Sequence, residues 1–121
     1  MYQHQVEQPA FQGDVHLTDD DVQRWAGMIG ASRSELYDQI ALHLALAFNE
    51  STLTFEFCDA VMNGIHGIIT NADELRPELF WKVYLAFEEG EYYHGNNREE
   101  DPVERYTRPM ISQVLRELAS R

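Results

Sequence analysis

Between Phe55 and Gly67 the chain reads FEFCDAVMNGIHG, and within it Glu56, Asp59, Asn63 and His66 recur at intervals of three, four and three. On a helix turning about 100° per residue these four, with Thr70, fall within roughly 80° of one another. Two carboxylates, an amide and an imidazole on one stripe are side chains suited to moving protons or holding a polar ligand. Further along, Glu91-Tyr92-Tyr93-His94 has the Glu-x-x-His spacing that carboxylate-bridged dimetal bundles use in pairs. The second copy is missing, because its nearest analogue, Asn63-Gly64-Ile65-His66, puts an amide where a bridging carboxylate belongs. No metal and no cofactor is therefore expected. No nucleophile stands in the stripe either: Cys58 falls on the apolar side, where structural cysteines are inert. Glu56, Asp59, Asn63, His66, Glu91 and His94 form a candidate polar ligand site with no catalytic residue assigned. The competing reading makes the stripe the one wet edge of a packed helix.

The elements that must carry these residues are helical. Thr18 followed by Asp19, Asp20 and Asp21 is an N-terminal cap with carboxylates at the positive end of a helix dipole, and Gly30 marks its end. A second helix follows Ser32 or Ser34 and ends near Asn49. Its second half is apolar nearly all round, with Leu42 and Leu46 opposite Leu36, Ile40 and Leu44, so it is central or covered by another subunit. The helix carrying the stripe starts near residues 51–54 and ends near Asn71. It is apolar over most of its girdle, which marks it as a packing centre, and Ala60, Gly64 and Gly67 leave room for a neighbouring helix. A fourth helix starts at Pro77 and is expected to run through His94, stopped by Gly95-Asn96-Asn97. The last opens at Asp101-Pro102-Val103-Glu104 and should be kinked or split by Pro109. No convincing strand is present. The expected fold is all-α: a single-domain bundle of four main helices plus a short N-terminal one, over residues 17–121, preceded by a flexible arm over residues 1–16.

Charge narrows the partners. The net charge is −12 over 121 residues, and only the stretch 105–121, with four arginines against Glu117, is basic. Such a surface repels phosphate backbones and anionic membranes, so neither nucleic acid nor membrane is an expected partner. No apolar run reaches the length of a membrane span and no basic-then-apolar leader opens the chain, which favours a cytoplasmic location. One cysteine permits no internal disulfide. Residues 21–40, DVQRWAGMIGASRSELYDQI, resemble a helix-turn-helix through Ala26, Gly30 and Leu36. A recognition helix needs cations and base-edge donors, and here Glu35 and Asp38 stand with Arg33 as the one nearby base. A helix-turn-helix regulator is thus the third-ranked function.

The fourth helix offers a different surface. Leu79, Phe80, Val83, Ala86 and Phe87 make its apolar face, and outside that face Trp81, Leu85, Glu88 and Tyr92 recur at four, three and four. Interfaces are enriched in aromatics, so this ridge, rimmed by Tyr93 and neighbouring acids, is a candidate partner-binding surface. Tyr92-Tyr93 among carboxylates is similar in character to the nuclease-colicin immunity proteins, small acidic helical inhibitors; the likeness consists of two residues and a charge balance. The resulting expectation is a non-enzymatic acidic helical protein of adaptor, inhibitor or regulator type. It would act through protein–protein contact, as a homodimer or with a basic protein partner. The alternative is a small-molecule- or metal-dependent enzyme using the Glu56–His66 row.

Overall fold

A computed structural model describes residues 16–94 and 99–120. The chain folds as an all-α, single-domain bundle with no strand among the described residues. The arm expected over residues 1–16 lies outside the described residues apart from His16.

The first two helices begin where local chemistry dictates. Helix α1, Asp19–Ile29, is capped by Thr18, whose hydroxyl accepts from the Asp21 backbone while the Asp21 carboxylate accepts from the Thr18 backbone. Gly30 ends it with φ 68°, a left-handed conformation that costs glycine little. Two residues later Ser32 and Glu35 repeat the reciprocal cap at the start of α2, Arg33–Asn49. Arg33 holds the corner together, donating to Asp19 at 2.6 Å and to Glu74 at 3.1 Å.

Helix α2 is the centre of the bundle. It packs against α1 and against three later helices: α3, Phe55–Asn71; α4, Glu78–Glu89; and α5, Arg108–Ala119. Leu36, Tyr37, Ile40, Ala41, Leu44 and Phe48 are all buried along it. The near-complete apolar girdle seen in the sequence is therefore satisfied largely within the chain. Leu42 is half-buried, and Leu46 stays 43% exposed. Helix α3 buries seven residues, but its two inner glycines admit no close helix: Gly64 faces the Leu17 side chain, and nothing would lie within 4 Å of a Cβ at Gly67.

One terminus differs from expectation. Helix α4 starts on schedule after Pro77, and its cap comes from another helix: Asp38 of α2 accepts from the Phe80 backbone at 2.8 Å. It ends at Glu89, short of His94. Gly90 sits against Thr107 and the Phe55 ring, where a Cβ would collide with the Thr107 hydroxyl. At this point the Gly90 N–H turns to the Phe87 carbonyl at 3.1 Å, tightening the last turn. The Ala86 carbonyl is met instead by the buried Thr107 hydroxyl, which donates at 2.7 Å. The expected break lies at Pro109. The chain divides just before it: a wide π-helical turn over Val103–Thr107, closed by the Arg108 N–H on the Val103 carbonyl, leads directly into α5. A proline in a helix removes one donor and crowds the carbonyl four residues back, and the widened turn relieves that crowding.

Candidate functional site

The cap at Thr54 orients α3. Its hydroxyl accepts from the Phe57 backbone, which fixes the helix register. Phe57, Cys58, Val61, Met62, Ile65 and Ile69 then face the core, and the polar stripe looks outward toward the end of α4.

The structure brings part of the stripe together. Asn63 donates to Asp59 at 3.3 Å and to Glu91 at 2.9 Å, so one amide bridges a carboxyl on α3 and a carboxylate just past α4. Burial pushes the Asp59 carboxyl up to about 8; hydrogen bonding to Glu91 and the charges of Glu91, Glu88 and Glu56 push the same way. Asp59 therefore holds its proton more tightly than an ordinary aspartate does. Glu88 also accepts from the Tyr84 hydroxyl at 3.3 Å. Burial, followed by the Glu88 charge, raises that phenol to about 12.

The two histidines are drawn elsewhere. His66 lies flat on Tyr84 with ring centroids 4.4 Å apart, and Trp81 stacks on the same tyrosine at 5.3 Å. Arg76 covers Trp81 at 4.0 Å. His94 joins a separate stack between Tyr92 and Tyr106, at 4.5 and 3.8 Å. Its Nε2 also lies 2.9 Å from the Glu89 carbonyl and 3.2 Å from the Glu89 carboxylate. That places an imidazole over the C-terminal end of α4, where backbone carbonyls lack helical donors. Of the six residues in the candidate polar site, Asp59, Asn63 and Glu91 touch, Glu56 contributes charge, and His66 and His94 belong to aromatic stacks.

The aromatic ridge also divides. Because α4 ends at Glu89, Tyr92 does not continue the Trp81–Leu85–Glu88 line. Trp81 and Leu85 are half-buried against the core, whereas Tyr92 and Tyr93 remain 52% and 46% exposed. The Tyr92 hydroxyl donates to Glu89 at 3.3 Å. Two exposed tyrosines thus follow Glu91 directly in the chain, with Glu88 and Glu89 close by in sequence. The Tyr84 platform escaped the sequence reading because, in one dimension, a tyrosine on an apolar helix face looks like ordinary core. The cross-helix cap from Asp38 carried no local signal at all.

Among the described residues no three His, Cys, Asp or Glu side chains are grouped so as to hold a metal ion. Nor is any helix of the described residues long and apolar enough to cross a membrane. Comparisons with family models, curated proteins and solved structures give no match for this chain.

Proposed function

We propose that this protein works by binding another protein rather than by catalysis, and that the contact surface is the face around Tyr92 and Tyr93. The observation that carries this reading is their exposure, directly after Glu91 in the chain and with the Tyr92 hydroxyl on Glu89. Rigid aromatics with an acidic surround give buried contact area together with electrostatic steering. A partner suited to this face presents lysines or arginines around an apolar patch. It would gain speed of encounter from the overall charge of −12.

Self-association is the other form of contact open to the chain, and salt separates the two. Two copies of this chain repel, so a homodimer tightens as salt screens the charge; a complex with a basic partner weakens under the same conditions. The test is affinity capture on the immobilised protein at low and high ionic strength, with a Tyr92→Ala, Tyr93→Ala variant as control and sedimentation of the protein alone. The expected result is a lysine- and arginine-rich protein held at low salt by the wild type and lost by the variant. Identical captures by both proteins would end this proposal.

A further inference from the structure

On a different part of the surface, α2, α4 and α5 leave a cleft of about 180 Å³. Its apolar lining is Leu79, Val114 and Leu118, all of which pack on the core. Its polar lining is unbalanced, with Asp38, Glu78 and Glu117 against Lys82 alone. Lys82 is itself committed to Glu78, one helical turn away at 3.2 Å. An apolar lining rimmed by Glu117 and by Asp38, whose Oδ1 already accepts from the Phe80 N–H, suits a short hydrocarbon chain ending in a cation. We propose that this cleft binds primary alkylammonium ions, with the chain laid along Leu79, Val114 and Leu118 and the ammonium group at Asp38 and Glu117.

Size sets the length of the chain. Drug-sized ligands occupy pockets of roughly 300–1,000 Å³. A cleft of about 180 Å³ instead suits a fragment of about four to six carbons. Each methylene taken from water tightens binding about fourfold while the cleft has room for it. Charge alone gives no such dependence on length, because the ammonium group is the same throughout the series.

The test is a two-dimensional amide NMR titration of the full chain with n-butyl-, n-pentyl- and n-hexylammonium chloride. Saturating shifts are expected at Leu79, Val114 and Leu118, with affinity rising about fourfold per added methylene. Asp59, Asn63 and Glu91 serve as the internal control for diffuse attraction and should drift without saturating. Hexanoate and n-hexanol should bind more weakly than n-hexylammonium. Glu117→Gln, at an exposed position, should weaken n-hexylammonium about threefold. Leu118→Ala should flatten the dependence on length; if that variant does not fold, the homologous series and Glu117→Gln decide the matter without it. Shifts spread evenly over the acidic surface, an affinity independent of chain length, or hexanoate binding as tightly as hexylammonium would each overturn the proposal.

Discussion

Replacing Asp59 by asparagine should make the protein more stable in alkali and leave it nearly unchanged in mild acid. The carboxyl moves from its ordinary 3.8 to about 8 on folding, first through burial and then through Glu91, Glu88 and Glu56. A raised carboxyl means that the folded state holds the proton more tightly than the unfolded chain does. Its contribution to stability is complete below 3.8 and is lost as pH rises to about 8. A shift of that size would be worth about 6 kcal/mol in a wholly buried site. Asp59 is half-buried, and solvent screening reduces the expected loss to about 1–2 kcal/mol. Asparagine resembles the protonated carboxyl in shape and cannot ionise. Urea unfolding of both proteins at about pH 5 and about pH 9 isolates the effect. The variant should lie within about 0.5 kcal/mol of the wild type in acid and exceed it by about 1–2 kcal/mol in alkali. Two stability curves running parallel across that range would refute a raised Asp59 carboxyl.

Three further outcomes follow from packing. Gly90→Ala should destabilise by roughly 1–3 kcal/mol because its Cβ meets Thr107 and Phe55, while Gly67→Ala should stabilise by up to about 1 kcal/mol because the space there is open; thermal unfolding of the pair checks the contrast. Thr107→Val should cost about 1–3 kcal/mol by leaving the Ala86 carbonyl without its buried donor, and Thr107→Ser should recover part of the loss; equal urea midpoints for all three proteins would contradict this. Burial, aided by the Asp59 charge, pushes the Cys58 thiol up to about 12, so its alkylation at about pH 8 should wait on unfolding and accelerate sharply in denaturant. Rapid labelling of the native protein would show the thiol to be accessible.

The helix starts were legible because they depend on neighbours in sequence. Thr18 with Asp21, and Ser32 with Glu35, close reciprocal caps within three residues. The end of α4 was not legible, because Gly90 is fixed by Thr107 and Phe55, both distant along the chain. Helical periodicity alone carries the pattern on through Tyr92 and so merges a half-buried Trp81 with an exposed Tyr92 into one ridge. Pro109 was recognisable as a disturbance, but whether a helix kinks, splits or widens depends on the backbone around it. In the polar stripe, the three-and-four spacing correctly put Asp59 beside Asn63. It could not show that His66 turns toward Tyr84, since a stacking partner on another helix leaves no mark in the spacing. The proximity of Glu91 to Asn63 likewise needs the turn after α4.

Partner binding through the Tyr92–Tyr93 face is tested most directly by placing a photo-cross-linking amino acid at Tyr93 in the cell and, as a control, at exposed Gln113 on α5. Irradiation should give one discrete adduct from position 93, joined to a lysine- or arginine-rich segment of another protein, and no corresponding adduct from position 113. No adduct at either position, or the same adducts at both, would contradict a binding role for this face.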